Sequence, residues 1–282
     1  MRTLPYFAFL ILASSLRADP LAGAWETFPS QANANAWSLY SYEDQIVAPP
    51  PWADPEIDDN TYAYSFFLGG KGVWFFADGL TAEGAFVGDY AAEKIAEIDV
   101  SVFIDPAEID FLDLAIYADG PNGLGYYYSL TYQPEDLGEF PGWYELNFTF
   151  DDNWFSLQGG NATPFKPDQK FLASIQEIGV RVLPAVGVTS EGFVGIDDFI
   201  LVPSVEAPSL STSLSTGNFV LEFTPNPGVS ATIQKLKPNF EWQDVAGQSD
   251  LIGFQIYTAA VGTGTALFRV AAEEKLTQVT SP

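Results

Sequence analysis

The chain has 282 residues, of which 37 are acidic and 11 basic, giving a formal net charge of −26. It contains neither cysteine nor histidine, which excludes disulfide bonds, zinc sites of the usual ligand types, Ser-His-Asp triads and Cys-His pairs. Such an acidic chain repels nucleic acid and anionic membrane surfaces and attracts hard cations, and the same charge keeps an exported protein soluble.

The first residues have the pattern of a secretory signal peptide. Arg2 provides a positive start, Leu4 to Leu12 form an apolar run, and Ala18 is a small residue at the predicted cleavage position. The run is shorter than the roughly 20 residues that a membrane-spanning helix needs. We therefore expect residues 1–18 to be removed and the protein to be secreted from a bacterial-type cell to the extracellular space or cell surface, with the periplasm as the alternative. The mature chain then carries 9 basic and 37 acidic residues, a net charge of −28.

Apolar and polar residues alternate with a period of two in many short segments between residues 23 and 202. In "YELNFTF" the side chains of Tyr144, Leu146 and Phe148 share one face, and "IDVSVFI", "FLDLAIY" and "EIGVRV" repeat the pattern. Turns rich in Gly, Pro and Asp separate these segments. The pattern is typical of half-buried antiparallel strands and predicts an all-β protein with a two-sheet sandwich.

A change of composition follows Pro203. The stretch "SVEAPSLSTS" is rich in Ser and Pro and indicates a linker or domain joint. Beyond it, "GNFVLEFTPNPG" starts a new alternation with Phe219, Leu221 and Phe223 on one face. We therefore expect residues 204–282 to form a second, small all-β domain about the size of one immunoglobulin-like sandwich.

Two adjacent aspartates interrupt the apolar segment "EGFVGIDDFILVP". A strict period of two places Asp198 on the same face as Val194 and Ile196, and Asp197 on the other. A carboxylate turned toward a core is costly unless it is paired, hydrogen-bonded or bound to a metal ion. Two alternatives remain open: a calcium ion, which needs only oxygen ligands, or a β-bulge at which Asp198 bonds local backbone.

Several segments resemble one family. "VGIDDFILV" resembles the last strand of galactose-binding-like jelly-roll modules, and "AWETF" followed by "NAWSLYSYED" is similar to their first strand. "FVGDYAAEKIAEIDVSVFID" and "FPGWYELNFTFDDNWFSLQGG" resemble the middle of secreted bacterial members that are carbohydrate-binding modules. The likeness covers about residues 22–203 and implies an antiparallel jelly-roll β-sandwich for residues 19–203. The last 79 residues, with "ALFRVAAEE", resemble small fibronectin-type-III-like tail domains.

In many such modules a structural calcium ion (Ca2+) joins the first and last strands. Carried over to this chain, the resemblance implies Glu26 and Asp198 as ligands, with Asp197 as a further candidate. Glu26 shares its phase with Ala24 and Phe28, so we expect its side chain to point inward. Calcium would then stabilise the fold.

Sugar-binding modules stack aromatic side chains on pyranose rings, and the candidates here are Trp52, Tyr127, Trp143 and Trp154. Trp52 follows three prolines in a polar loop and is expected to be exposed. Tyr127 lies in phase with Ser129 on the polar face of its strand, whereas Tyr126 and Tyr128 are expected in the core. Core packing is the alternative for each of the four.

The leading hypothesis is a secreted, non-catalytic module that binds a polysaccharide or cell-surface glycan, with no nucleic-acid partner and no membrane insertion. One alternative is a structural or adhesive surface protein, which an apolar patch without polar partners would favour. Another is a jelly-roll glycoside hydrolase, which needs two carboxylates in one cleft. The acids of "EIDFLD" do not share one strand face, so the sequence favours a protein without catalytic activity.

Overall fold

The computed structural model describes residues 20–53, 61–67, 71–129, 132–150, 154–158, 161–185, 192–204, 210–215, 218–225, 227–237, 242–252, 255–260, 268–274 and 277–278. The predicted signal peptide, residues 1–18, lies outside these ranges.

Short strands dominate the described chain. They are β1 (Ala24–Glu26), β2 (Ser38–Ser41), β3 (Ile46–Ala48), β4 (Ala63–Phe67), β5 (Val73–Ala77), β6 (Ile95–Ile104), β7 (Ile109–Gly120), β8 (Gly123–Tyr128), β9 (Gly142–Thr149), β10 (Trp154–Gln158), β11 (Asn161–Phe165), β12 (Glu177–Pro184), β13 (Gly192–Pro203), β14 (Leu210–Ser215), β15 (Asn218–Phe223), β16 (Val229–Leu236), β17 (Trp242–Asp244), β18 (Gln255–Ala260), β19 (Phe268–Glu274) and β20 (Thr277–Gln278). The protein is all-β, and its antiparallel sheets form a sandwich-like arrangement, as the period-two patterns predict.

Two sheets build the larger part of the protein. A six-stranded sheet has the order β20-β1-β13-β6-β9, with β4 also paired to β13, and an eight-stranded sheet has the order β11-β10-β8-β7-β12-β5-β2-β3. The pairs are antiparallel except for β20, which lies parallel to β1. One apolar core contains residues from both sheets.

The alternations in the sequence explain which side chains enter this core. Four predicted inward sets are buried: Ile98, Val100, Val102 and Ile104 in β6; Leu112, Leu114 and Ile116 in β7; Leu146 and Phe148 in β9; Ile178, Val180 and Val182 in β12. Burial of such a side chain contributes about 1.5–3 kcal/mol. The predictions are confirmed for these residues; Tyr144, also in the predicted inward set of β9, is half-buried and packs against the core.

The helices are short, and side-chain caps start them. In α1 (Gln31–Ala36) the Ser30 hydroxyl accepts a hydrogen bond from the Asn33 N–H, and in α2 (Gln169–Leu172) the Asp168 carboxylate accepts one from the Phe171 N–H. None of the helices in the described residues is long and apolar enough to cross a membrane.

The remaining strands form two three-stranded sheets, β14-β15-β18 and β17-β16-β19, with a small core of their own. Leu221 and Phe223 are buried there, as predicted. The predicted linker "SVEAPSLSTS" is partly wrong, because Leu210–Ser215 is strand β14 and pairs with β15. β20 returns to the six-stranded sheet, where Thr277 pairs with Ala24.

Candidate functional site

An aromatic groove lies on the outer face of the eight-stranded sheet, the face turned away from the shared core. It is lined by Tyr40, Tyr42, Val47, Trp74, Phe76, Ala115, Tyr126, Tyr128 and Glu177. Its volume is about 460 Å³, within the range of about 300–1,000 Å³ that is usual for ligand pockets. Aromatic side chains with a few polar groups form such pockets in many binding proteins.

Aromatic residues spaced two apart build the walls. The pairs are Tyr40 and Tyr42, Trp74 and Phe76, and Tyr126 and Tyr128. Residues two apart on a strand share a face, so each pair projects both rings to one side. Strand pairing aligns the rings of β2 and β5, since Tyr40 lies opposite Trp74. On its other side Trp74 lies opposite Arg181 of β12.

The floor of the groove is made of the smallest side chains. Gly179 in β12 lies between Phe76 of β5 and Ala115 of β7, and Ala115 in turn lies opposite Tyr128. A Cβ atom at Gly179 would lie 1.8 Å from the Phe75 carbonyl oxygen. Glycine is therefore required where the sheet forms the floor between two aromatic walls.

Ring contacts hold the walls in place. Trp74 and Phe76 stack with centroids 4.2 Å apart at an interplanar angle of 19°, and the Tyr126 ring meets Trp74 edge-on at 5.3 Å. Such contacts contribute about 0.5–1.5 kcal/mol each beyond the buried area. Tyr126 remains 42% exposed, so its ring is available to a ligand.

A buried ion pair lies beside the groove. The Arg181 side chain donates two hydrogen bonds to the Asp113 carboxylate, one from Nε to Oδ1 at 2.9 Å and one from Nη2 to Oδ2. The guanidinium also lies 3.8 Å from the centroid of the Tyr128 ring, a cation–π contact. Burial disfavours the charge of Arg181, but the hydrogen bonds and charge of Asp113 outweigh it, so the pKa of Arg181 is raised.

The polar groups of the groove are hydroxyls and one carboxylate. Burial raises the pKa of Tyr42 to about 12 and also raises the pKa of Tyr128, so both present neutral hydroxyl groups. The Tyr126 hydroxyl donates a hydrogen bond to Glu177 Oε2 at 3.1 Å. Burial raises the pKa of Glu177, and that hydrogen bond offsets the effect in part.

One donor in the groove wall has no partner. The Trp74 Nε1 is buried and makes no hydrogen bond with the described residues. An unpaired buried N–H costs about 1–3 kcal/mol; the core residue Trp37 has a second such N–H.

Two of the four predicted ligand-binding aromatics lie in the core, and this corrects the prediction for them. Tyr127 is 1% exposed and Trp154 is fully buried. The Tyr127 hydroxyl donates to the Gly123 carbonyl at 2.6 Å, and its ring contacts Phe171. The predicted faces of the tyrosine run are reversed, because Tyr127 points into the core while Tyr126 and Tyr128 point into the groove.

Trp52 is also placed differently from the prediction. It is half-buried and packs against the edge of the main core. Its Nε1 donates a hydrogen bond to the Phe28 carbonyl at 2.8 Å, and Trp52 pairs with Ala63. The expectation of an isolated exposed ring is therefore wrong, since the polyproline segment leads Trp52 back to strand β4.

Trp143 is exposed, but on the opposite side of the sandwich from the groove. It belongs to a cluster on the outer face of the six-stranded sheet, here called the outer aromatic cluster: Tyr62, Tyr64, Phe66, Phe103, Trp143 and Phe193. Trp143 is 38% and Phe66 51% exposed. The four predicted aromatics are therefore not brought together in one site.

Glu26 points inward as predicted and is fully buried. Its carboxylate accepts hydrogen bonds from the Phe28 N–H at 2.8 Å and from Asn33 Nδ2 at 3.1 Å. Burial raises the pKa of Glu26, and the hydrogen bonds from Asn33 and Phe28 lower it in part. The hydrogen bonds from Asn33 and Phe28 thus tie the start of α1 to strand β1 through this carboxylate.

The two adjacent aspartates form a β-bulge in β13. Asp197 pairs with Ser101, but the next paired residue is Ile200, opposite Asp99, so β13 has one residue more than its partner. Asp198 has a φ of 48°, a left-handed conformation that Asp tolerates better than most residues.

The bulge turns Asp198 away from the core. Asp198 Oδ1 accepts a hydrogen bond from Trp25 Nε1 at 2.8 Å, and Asp197 Oδ1 accepts one from the Asp198 N–H. Trp25 and Glu26 are adjacent in a strand and so face opposite sides; Asp198 lies on the side of Trp25. The strict period that placed Asp198 inward is wrong, because the extra residue shifts the phase and sends Phe199 and Leu201 inward instead.

The three predicted calcium ligands do not share one coordination sphere. Glu26 and Asp198 lie on opposite sides of the sheet, and the described residues contain no group of three or more acidic side chains that could hold a metal ion. The β-bulge, the second of the two alternatives, accounts for Asp198, and calcium binding stays a prediction.

The alternation in the sequence does not identify the groove, because it places Tyr126 and Tyr128 in the core and makes no prediction for the other two aromatic pairs. The signal was present in the sequence. Strand β5, "VWFFA", is apolar at both parities, and Tyr40 with Tyr42 and Tyr126 with Tyr128 repeat the spacing of two. A strand that is apolar on both faces indicates a covered or ligand-binding outer face.

Comparison with models of known protein families gives no match, and comparison with curated proteins gives none either. Comparison with solved structures gives β-rich proteins that include carbohydrate-active enzymes and an adhesin domain. The chain is similar to a β-1,2-glucanase from Parabacteroides distasonis, with a TM-score of 0.38 and 14% identity over 91% of this chain and 37% of the glucanase. It therefore spans little more than a third of that protein.

Two further similar structures are single domains. The L4b domain of human laminin alpha-2 has a TM-score of 0.40 and 10% identity, over 64% of this chain and 97% of that domain. The K2 cleaved adhesin domain of Lys-gingipain has a TM-score of 0.27 and 10% identity, over 68% of this chain and 95% of that domain.

Proposed function

We propose that this is a secreted, non-catalytic protein that binds an extracellular glycan in the aromatic groove. The observation that carries the proposal is the groove itself, in which three aromatic pairs converge with tyrosine hydroxyls and one carboxylate. Aromatic faces stack on pyranose rings, and neutral hydroxyls with carboxylate acceptors bond the sugar hydroxyls. Tyr126, which is 42% exposed, is the main stacking residue in this proposal.

The same residues support a role without catalysis. Glycoside hydrolysis uses two carboxyl groups about 5–10 Å apart. Among the described residues that line the groove, Glu177 is the one carboxylate, and the nearby Asp113 is bound by Arg181. A glycan can therefore be held here without a general acid and base pair to cleave it.

The finer architecture belongs to the proposal as well. Residues 19–203 form a galactose-binding-like jelly roll and residues 204–282 a fibronectin-type-III-like domain, after a signal peptide of residues 1–18 is removed. A structural calcium ion stays in the proposal without assigned ligands, since Glu26 and Asp198 lie on opposite sides of the sheet. Chelation of calcium should lower the melting temperature of residues 19–282, and an unchanged melting temperature would remove calcium from the proposal.

The outer aromatic cluster favours the second candidate, a structural or adhesive role. Its rings form an exposed apolar patch on the six-stranded sheet, with Phe66 51% exposed, and such patches mark contacts with other proteins. In that case the groove is a packing feature and the opposite face carries the function.

The test is retention of purified residues 19–282 on a panel of soluble and insoluble polysaccharides, with calcium present. Tyr126→Ala removes an exposed ring from the groove, and Trp143→Ala is the matched control, since Trp143 is similarly exposed at 38% on the opposite face. We expect retention on at least one glycan, a loss of about twofold to tenfold in affinity for Tyr126→Ala, and little change for Trp143→Ala.

The opposite result separates the two candidates. If Trp143→Ala abolishes retention and Tyr126→Ala does not, the binding face is the outer aromatic cluster. No retention on any polysaccharide would reject the glycan proposal and leave the structural or adhesive role.

A further inference from the structure

Among the described residues that line the groove, Glu177 is the one charged side chain, and its charge is negative. Glu177 lines the groove at the end of β12, next to the exposed ring of Tyr126. Arg181 lies beside the groove, opposite Trp74, and donates two hydrogen bonds to Asp113. Arg181 would have to give up these hydrogen bonds of a buried ion pair to become the partner of an anionic ligand.

The electrostatic surroundings of Glu177 reinforce the negative sign. Asp78 is close enough for its charge to raise the pKa of Glu177. Residues 19–204 carry 30 acidic and 5 basic side chains, and none of the lysines lies among the described residues that line the groove. Lys170, for example, pairs with Asp119 at 3.0 Å.

The Glu177 carboxylate is an acceptor in a site otherwise made of rings and hydroxyls. Its Oε2 accepts one hydrogen bond from the Tyr126 hydroxyl, and a carboxylate has about four acceptor positions. A sugar hydroxyl can donate to it. A uronate or sulfate group in the same place would put two negative charges at close range beside the half-buried Glu177, which should weaken binding by about tenfold.

We propose that Glu177 determines the specificity of the groove, which takes pyranose chains without acidic groups and rejects their uronate counterparts. This inference rests on the proposed function, because it concerns the same groove. Arg is the side chain that most often binds a carboxylate in two hydrogen bonds, and here Arg181 makes such a pair with Asp113.

The test compares each neutral polymer with its own oxidised form. Hydroxyethylcellulose, laminarin and galactomannan are each used native and after oxidation of C6 to the carboxylate, in affinity electrophoresis of residues 19–282. We expect at least one native polymer to retard the protein and its oxidised form to bind about tenfold more weakly at low salt. Added salt should reduce this difference.

Two variants with the same change in net charge locate the effect. Glu177→Gln keeps an acceptor oxygen and removes the charge, so the difference between native and oxidised polymer should shrink to less than about threefold. Glu145→Gln is the matched control, because Glu145 is exposed on the six-stranded sheet and its loss should leave the difference unchanged.

The outcomes distinguish this inference from the function on which it rests. Equal binding of native and oxidised polymer, or an equal response to both variants, overturns the role of Glu177 and leaves glycan binding intact. Stronger binding of the oxidised form overturns the inference outright. Binding of none of the six polymers counts against the proposed function, and the specificity inference is then lost with it.

Discussion

Replacing Arg181 by methionine should destabilise the protein strongly. The side chains of Arg181 and Asp113 are 9% and 0% exposed, and two hydrogen bonds join them. Arg181→Met keeps most of the side-chain volume but removes the charge and both hydrogen bonds. Asp113 is then a buried carboxylate without its partner, which is the most costly way to disrupt an ion pair.

The size of the effect follows from the burial of both partners. Removal of one member of a buried pair costs about 3–5 kcal/mol, and solvent screening gives little relief here because Asp113 is fully buried. The double replacement Arg181→Met with Asp113→Leu removes both charges together. It should be neutral or stabilising by about 1–4 kcal/mol relative to the protein with the ion pair.

The assay is urea unfolding followed by tryptophan fluorescence, for the two single variants and the double variant. The stability of Arg181→Met should also depend on pH. Burial raises the pKa of Asp113 and Arg181 lowers it, so loss of Arg181 raises it further. The folded state of Arg181→Met then binds a proton more readily than the unfolded state, and the stability of this variant should rise as the pH falls from neutral.

A cost below about 1 kcal/mol for Arg181→Met would refute this reasoning, because that value is typical of an exposed pair. A double variant that is less stable than either single variant would also refute it. In that case the contact of the guanidinium with the Tyr128 ring, rather than the charge of Asp113, would dominate.

Three further predictions concern the groove floor, the bulge and strand β1. Gly179→Ala should cost about 1–3 kcal/mol by urea unfolding, since its Cβ would overlap the backbone of β5, whereas Gly125→Ala, with nothing within 4 Å, should be tolerated. Deletion of Asp198 removes the extra residue of β13 and should leave a folded protein by circular dichroism, whereas deletion of Gly195 reverses the phase of half the strand and should prevent folding. Because the pKa of Glu26 is raised by burial, unmodified protein should gain stability relative to Glu26→Gln as the pH falls toward 4.5. Equal stability of the two glycine variants, or the same outcome for the two deletions, would contradict the first two predictions. A loss of relative stability on acidification would contradict the third.

The sequence predicts the inward faces of the long strands well. In β6, for example, Ile98 and Val100 alternate with polar residues, and both are buried. One polar and one apolar face per strand is the situation in which a period of two is unambiguous. The fold class follows from such strands, because their apolar faces can be buried together only between two packed sheets.

The tyrosine run shows where this reasoning fails. The run consists of three large, amphipathic residues, Tyr126, Tyr127 and Tyr128, so polar and apolar positions do not alternate within it. The prediction of its faces then depends on neighbours such as Ser129. The Ser129 hydroxyl, however, is buried and accepts a hydrogen bond from the Leu114 N–H at 2.9 Å. A buried serine whose hydroxyl binds backbone resembles an exposed one in sequence, and only the pairing with β7 distinguishes them.

The bulge in β13 is a different kind of failure. A single extra residue shifts the phase of everything after it, so Phe199 and Leu201 are in the core although a strict period places them outside. Adjacent aspartates in an apolar strand were a correct sign of an irregularity. They did not reveal its type, because a metal site and a bulge both explain carboxylates at that position.

The apolar content of the outer sheet faces is the strongest link between fold and function. In a sandwich of two layers each sheet needs only one apolar face, and the other meets water. Trp74 and Phe76 break this rule in β5, since they lie on the outer face and yet are only 6% and 7% exposed. Their cover comes from rings on neighbouring strands rather than from another layer of backbone. Because these rings add little to the core between the two sheets, we attribute them to the ligand groove of the proposed function.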